Sequence, residues 1–514
     1  MSRPCAVASD EVGPCRRGTR RRSLVALFSG VVLPFAFAPL SVWPLAILAP
    51  TALLLWLRHC SAKQAAITGW FFGLGMFGHG VWWIQVSVHQ FGVPHYAFSI
   101  SVTALFVAAM ALYPCVFALL HHKVAKRIGF GAALALAPAL WVGLEMLRGW
   151  LFTGFPWLLL GYSQLDTTFA GYIPVIGIHG VSFIVMTLSA ALAWSVVQQG
   201  ALSVCSSLML MVGLWMGGHA LSAVEFSQPL GPRLQVALIQ GAVPQALKWR
   251  PEEKVASIAL YRDLSLPYRN SDLIIWPETA IPAFPQEIPQ VMNQLLATFD
   301  DVDVLSGIPT GDPYSSAYYN SVIALNAQAE QYHKHHLVPF GEYFPLKSWW
   351  QGLARLLSIP MSDFSAGPAF QAPLTAAGYK VGISICYEAA FAREIARALP
   401  DAAFLVNVSN DAWFGDTIAP HQHLQIARAR ALETGRYLLR GTNSGISAVI
   451  DERGQIQAQA PQFARTVLIG EFGPRQGATP FVRFGDGPIV ILGLFSVLAV
   501  SLAHWRRAGR HGGA

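Results

Sequence analysis

Residues 382–391 read GISICYEAAF. An apolar run from Tyr379 to Ile385 leads into a lone thiol, Cys386, and a helix-forming stretch from Glu388 to Leu399 follows. That is the pattern of a strand ending at a turn that opens a helix. Working outward, strand-like runs occur at Leu234 to Gln240, Asp272 to Trp276, Val302 to Gly307, Val322 to Asn326, Ala403 to Val408 and Ser447 to Ile450. Helical stretches separate several of them, at Glu252 to Leu264, Pro289 to Thr298 and His421 to Thr434. Strands alternating with helices predict an α/β domain with a buried sheet. In such sheets functional groups gather just beyond the strand ends.

The rest of the chain has another composition. The 514 residues are 54% hydrophobic and 12% charged, where a soluble protein carries roughly 25% charged residues. Of 28 acids only Glu145 and Asp166 fall between Arg22 and Leu221, and 24 lie from Glu225 onward. A bilayer core takes about 20 mostly apolar residues per helix. Such windows run at Leu24 to Leu40, Trp43 to Leu57, Ala66 to Val88, Ala97 to Leu120, Ile128 to Leu147, Ile173 to Val197, Ala201 to Leu221 and, after the polar domain, Pro488 to Trp505. About eight transmembrane helices are therefore expected, the first two short and sharing Pro34, Pro39 and Pro44. No small-x-small site with polar sequence after it follows the first window, so that window is expected to be retained as a helix.

Arg16, Arg17, Arg20, Arg21 and Arg22 precede the first window, Arg58 and Lys63 follow the second, Lys123, Lys126 and Arg127 follow the fourth, and Arg506, Arg507 and Arg510 follow the last. With eight helices all these clusters fall on one side, which the positive-inside rule makes the cytoplasm. Both termini are then inside and the polar domain outside. The net charge of +7 lies largely in these short segments, which disfavours nucleic acid as a partner. The outward connection carrying TGFPWLLLGYSQ (153–164) is too aromatic for a solvated loop. It is expected to lie along the membrane or against the domain.

Cys386 is the one cysteine of the outer domain, so no internal disulfide can form there. Two other segments put reactive groups beyond strands: SDLIIWPETAIP (271–282) carries Glu278, and YHKHHLVPFGEYFP (332–345) carries Lys334. A thiol, a carboxylate and an ammonium suffice for acyl transfer. A helix N-terminus and a nearby Lys334 would favour thiolate. Glu278 can take the thiol proton and return it to the leaving group. Lys334 and the Tyr387 backbone N–H can hold an oxyanion. From spacing alone, a buried hydrophobic Cys386, a surface-paired Lys334 and a capping Glu278 stand equally open.

These three segments resemble the Glu-Lys-Cys triad of the nitrilase, or carbon-nitrogen hydrolase, superfamily. The chain as a whole resembles the apolipoprotein N-acyltransferase family, its integral-membrane branch, through TGFPWLLLGYSQ, QGAVPQALKW, WPETAIP, HKHHLVPFGEYFP, ICYE, NVSNDAWFGDT, GTNSGISAVID and a final membrane helix. The resemblance implies a multi-pass α-helical membrane domain plus an α/β nitrilase-like α-β-β-α sandwich. The expected organisation is a basic cytoplasmic tail at 1–22, a transmembrane helical domain at 23–222, a periplasmic nitrilase-like catalytic domain at 223–487, a transmembrane helix at 488–505 and a cytoplasmic tail at 506–514. It further implies Cys386 as nucleophile, Glu278 as proton acceptor and Lys334 as oxyanion stabiliser, supported by Trp249, Glu342, Tyr387 and Glu388. The implied reaction moves an acyl chain from a membrane phospholipid, through a Cys386 thioester, to the α-amine of a diacylglyceryl-cysteine apolipoprotein in the inner membrane. No cofactor is implied. A soluble amide substrate needs no multi-helix anchor, whereas two lipid substrates explain one.

His333, His335, His336, His421 and His423 lack the i, i+4 spacing and carboxylate partner of a metal site, so no metal is expected. Asn410, Asp411 and Asp416 are read as shaping a loop beside the thiol. Glu145 is read as solvated or paired with Arg148. FPLKSWWQGLARLLSIP (344–360) presents Trp349, Trp350 and Leu353 at helical spacing, as packed core or as a lid dipping into lipid. Two other classes remain: a membrane-tethered amidase or nitrilase, and a non-catalytic receptor or transporter. The intact triad argues against the second, as does the scarcity of acids in the helices.

Overall fold

Alternating apolar residues from Leu234 onward build two facing sheets. The strands, in chain order, are β1 Gln228–Pro229, β2 Leu234–Gln240, β3 Leu273–Ile275, β4 Asp303–Gly311, β5 Tyr318–Ala324, β6 Gln331–His333, β7 Leu374–Ala376, β8 Tyr379–Ile385, β9 Phe404–Ser409, β10 Leu438–Thr442, β11 Ala448–Ile450, β12 Ile456–Gln459, β13 Thr466–Phe472 and β14 Arg475–Gln476. This computed structural model describes residues 15–92, 95–311, 317–325, 330–343 and 364–511. Trp349, Trp350 and Leu353 lie outside the described residues.

Among the described residues one sheet has the order β13-β2-β3-β4-β5-β6 and the other β12-β11-β10-β9-β8-β7. Each has a parallel centre, β2-β3-β4 in one and β8-β9-β10 in the other, with antiparallel strands at its flanks. Their inner faces meet through Val236, Leu238, Ile275 and Leu305 on one side and Val381, Ile383, Val406 and Leu439 on the other. Helices Pro251–Ser265 and Pro289–Thr298 cover the outside of the first sheet with Ile258, Tyr261, Leu295 and Phe299. Helix Ala419–Thr434 covers the second with Leu424, Ala427 and Ala431. The layers run α-β-β-α, with each sheet buried on both faces as parallel strands require.

Helix Ala419–Thr434 is apolar on both faces because both are occupied. Its other side gives Ala419, Ile426, Ala429 and Leu432 to the core of the membrane helices. Its polar residues are buried and hydrogen-bonded across that boundary. Gln422 Oε1 accepts the indole N–H groups of Trp83 at 3.2 Å and Trp157 at 2.7 Å, and its Nε2 donates to Gly80 O at 3.1 Å. Gln425 Oε1 accepts from Ala38 N, and Glu433 Oε1 from Ile178 N. The aromatic segment 153–164 lies in this seam, with Trp157 only 1% exposed.

Every apolar window contains helix: Cys15–Val32, Leu45–Trp56, Ala62–Gly80, Tyr96–Met110 continuing as Leu112–Ile128, Phe130–Arg148, Ile173–Gln198, Ala201–Ser222 and Gly487–His511. By length and hydropathy five stretches among the described residues qualify as membrane spans: Tyr96–Ile128, Phe130–Arg148, Thr168–Gln198, Ala201–Ser222 and Gly487–Arg506. The remaining windows fall short of that measure. Leu45–Trp56 has only 12 residues, and Cys15–Val32 is laden with arginine. Cys15–Val32 and Ala62–Gly80 cross at backbone contact, where a Cβ on Gly30 would stand 2.0 Å from Phe72 O and one on Gly75 2.2 Å from Leu27 O. Small residues at such crossings are how helices associate in lipid.

Several expectations are corrected. The helix expected over Glu388 to Leu399 is broken into a 3-10 turn Cys386–Ala390, a short helix Ala392–Ile395 and a second 3-10 turn Ala396–Ala398. Phe391 at the first break has φ −104° and ψ 86° and stacks on His336 at 3.5 Å between ring centroids. Strand β10 is absent from the expected set because Arg440 interrupts its apolar run. Glu145 is neither solvated nor paired with Arg148. It is 3% exposed, and its Oε1 accepts from Trp141 Nε1 at 3.0 Å and Leu160 N at 2.9 Å.

Candidate active site

Three chain segments end at one buried place between the sheets. β8 delivers Cys386, the loop after β3 delivers Glu278 and the residue after β6 is Lys334. All are buried, at 8%, 6% and 1% exposure. Lys334 Nζ donates to Glu342 Oε1 at 2.8 Å and lies 3.7 Å from Glu278 Oε1. Asn320 on β5 bridges the two acids, donating to Glu278 Oε1 at 2.7 Å and Glu342 Oε1 at 3.1 Å. Glu342 Oε2 accepts from Val338 N. Glu278 Oε2 is buried with no hydrogen-bond partner among the described residues. An unpartnered carboxylate oxygen in a dry site is costly, and it is the oxygen free to receive a proton.

Charge placement sets the protonation states. Burial alone would strip the proton from Lys334, but Glu342, Glu278 and the Cys386 sulfur outweigh it and hold the ammonium charged far above its usual range. Burial pushes the Cys386 thiol up to about 12, Glu278 adding to the rise and Lys334 opposing it. The expected thiolate is thus corrected. A five-residue 3-10 turn replaces the helix whose N-terminus was to favour the anion, and desolvation beats one lysine. At neutral pH Cys386 is a thiol that needs a base beside it. Its alkylation by iodoacetamide should rise about tenfold per pH unit between pH 7 and 9, since only thiolate reacts. A plateau in that range, read by mass spectrometry of the Cys386 peptide, would reveal a resting thiolate.

The supporting residues divide. Glu388 is buried, with Oε1 accepting from His335 N at 2.7 Å, His336 N at 3.1 Å and Tyr332 Oη at 3.1 Å, and Oε2 from Ile385 N at 2.7 Å. It fastens the Lys334 loop to the end of β8. Tyr387 Oη donates to Gly154 O at 2.9 Å, and its ring stacks on Trp157, so the residue after the nucleophile is tied to the membrane-side seam. Trp249 is half-buried and ends the short helix Gln245–Lys248. The buried group in that segment is its neighbour Lys248, whose Nζ donates to Glu278 O at 2.8 Å. Burial lowers the Lys248 pKa to about 8, against a raising pull from Glu278.

Sequence reasoning missed Lys248 and Asn320, and it left His423 and Arg440 without a role. The signal for Asn320 is its place between two β-branched and aromatic runs, where a polar residue facing inward must have a partner. Among the described residues no group of three or more His, Cys, Asp or Glu is placed to hold a metal ion.

A family model described as Apolipoprotein N-acyltransferase N-terminal domain matches residues 29–191, and one described as Carbon-nitrogen hydrolase matches residues 235–477. Curated relatives extend the likeness over almost the whole chain. The apolipoprotein N-acyltransferase of Methylococcus capsulatus is 43% identical over 503 residues, covering 95% of this chain and 98% of its own. Those of Vibrio cholerae and Nitrosomonas europaea are 39% and 42% identical, covering 95% and 93% of this chain and 97% of their own.

Proposed function

Because this chain belongs to the apolipoprotein N-acyltransferase family, we propose that Cys386, Glu278 and Lys334 carry out its acyl transfer, from a membrane phospholipid to the N-terminal amine of a diacylglyceryl-cysteine lipoprotein. The observation that carries the assignment is the buried cluster itself, in which a charged lysine, two carboxylates and a protonated thiol share one water-poor place.

The chain is a membrane acyltransferase with a carbon-nitrogen hydrolase fold, and the chemistry runs in two halves. Glu278 Oε2 takes the Cys386 proton as sulfur attacks the phospholipid ester carbonyl. The negative charge that forms on the carbonyl oxygen is held by Lys334 Nζ and the Tyr387 N–H. The intermediate collapses, the glycerol oxygen leaves with the proton from Glu278, and a Cys386 thioester remains. The lipoprotein amine then attacks, Glu278 takes its proton, and the sulfur leaves and is reprotonated. Glu342 keeps Lys334 aimed throughout, Glu388 holds the Lys334 loop, and Tyr387 anchors the nucleophile's turn. Apolar walls shield the thioester from water and can lodge the acyl chain, each buried CH₂ contributing about 0.8 kcal/mol.

The basic clusters support eight crossings in the inner membrane, with both termini cytoplasmic and residues 223–487 periplasmic. Three shorter or more polar helices then span together with the five apolar ones, because bundle packing covers their small and polar residues. The test is exposure of the purified chain to phospholipid labelled in one acyl chain, followed by addition of a diacylglyceryl-cysteine peptide. Label should appear first on the Cys386 peptide and then on the acceptor amine. Release of the label as free fatty acid at the same rate with or without acceptor would favour a hydrolase instead.

A further inference from the structure

Cys386 has φ 51°, the left-handed region that L residues with a side chain avoid. Something must hold it there, and the surroundings of its carbonyl oxygen show what does. His423 Nε2 lies 3.1 Å from Cys386 O, and Asn407 Nδ2 lies 3.5 Å from the same oxygen. A carbonyl only accepts, so His423 must carry its proton on Nε2. Arg440 orients both donors from behind. One guanidinium nitrogen donates to Asn407 Oδ1, turning that amide's N–H₂ toward Ser384 and Cys386. The other lies 2.8 Å from Asp411 Oδ2 and 3.0 Å from His423 Nδ1. Asp411 Oδ1 takes the Ser409 hydroxyl at 2.8 Å. Arg440, Asn407, His423 and Asp411 are all buried, at 0%, 0%, 1% and 2% exposure.

Charges within this group close on themselves. Burial raises Asp411, but the Arg440 guanidinium beside it outweighs burial and holds the carboxyl ionised far below its usual range. Burial and then Arg440 keep the His423 imidazole neutral at physiological pH, against the opposing pull of Asp411. His423 Nδ1 stands 3.0 Å from Arg440 and 3.1 Å from Asp411 Oδ1. Because Cys386 O can only accept, the one proton of the neutral ring sits at Nε2, and Nδ1 accepts from Arg440.

We propose that His423, set by Arg440 and Asp411, is a positioning residue that clamps the Cys386 carbonyl and so holds the sulfur in line for attack. It touches no reacting atom. Its neighbour Gln422 is bonded to Gly80, Trp83 and Trp157, so the helix that carries the clamp is fixed on the membrane bundle. The inference rests on Cys386 being the nucleophile.

The experiment measures single-turnover acylation of Cys386 by phospholipid in the full chain, beside iodoacetamide labelling of the same thiol and thermal unfolding. His423→Leu should slow acylation about 100-fold, the usual loss for a reacting group displaced by roughly 1 Å. Half-saturation by phospholipid and iodoacetamide labelling should each stay within about threefold, because neither needs the sulfur in line. His423→Gln, whose amide N–H reaches the Nε2 position, should recover to within about tenfold of the parent rate. Acylation by His423→Leu at the parent rate overturns the clamp. Where His423→Leu fails to fold, His423→Asn decides, being the same amide one bond shorter. Equal loss in the Gln and Asn variants overturns the proposal, whereas recovery by Gln alone supports it. Failure of the underlying reading looks different, since the parent chain would then carry no acyl group on Cys386.

Discussion

Cys386→Ala is expected to abolish transfer while leaving a folded, membrane-inserted protein. The side chain is small and sits in an apolar cluster with Ile383, Ile385 and Val408, so its loss should cost only about 1 kcal/mol of stability. In the proposed mechanism the reaction has no second route. Removing the nucleophile of a coupled catalytic group typically costs on the order of 10⁴-fold or more in rate. Cys386→Ser should be as inactive, because in the proposed mechanism Glu278 takes a thiol proton and a hydroxyl gives its own up far less readily. Both variants should show no acyl adduct by intact mass after exposure to phospholipid, with a parent-like unfolding temperature in detergent. Transfer by Cys386→Ala within tenfold of the parent would end the nucleophile assignment.

The part of this site that local sequence reveals is the part that ends strands. Cys386 and Glu278 each follow an apolar run, and Lys334 follows the short polar strand Gln331–His333, so all three stand just beyond strand ends. What sequence cannot reveal is burial. The thiol beside a lysine suggested a thiolate, and the structure reverses this because the pocket excludes water from Cys386 more than Lys334 compensates. Arg440 carries the same lesson. No strand is expected at LLRGT, where a charge interrupts the apolar run, yet β10 is central, parallel to β9 and antiparallel to β11, and its arginine has Asn407 and Asp411 as partners from neighbouring segments. Such pairings join residues about 30 positions apart, a separation that no local window spans. Helix Ala419–Thr434 escaped full reading for a related reason, since its polar residues are buried rather than solvated and mark contact with the membrane bundle.

Lys334→Met should be damaging in a second way, one that separates charge balance from catalysis. Lys334 stands 2.8 Å from Glu342 and 3.7 Å from Glu278, with both acids bridged by Asn320. Lys248 is the other cation close by, bonded to the Glu278 carbonyl and mostly charged at pH 7 with its pKa lowered to about 8. Lys334 is thus the nearest counter-charge of the buried Glu278 and of the partly buried Glu342. Removing Lys334 leaves a largely buried carboxylate without its counter-charge, a change that costs up to about 3–5 kcal/mol where burial is complete. The protein can answer by protonating one acid, and that proton takes the place Glu278 needs empty. The proposed oxyanion donor is lost as well, worth about a further 10²-fold to 10³-fold in rate by itself. The double variant Lys334→Met with Glu342→Gln should therefore regain part of the lost unfolding temperature, because it removes the stranded charge, yet remain inactive. If Lys334→Met melts with the parent, the lysine is not the counter-ion of a dry site. If the double variant recovers activity along with stability, Lys334 served the fold alone and the oxyanion must be held elsewhere.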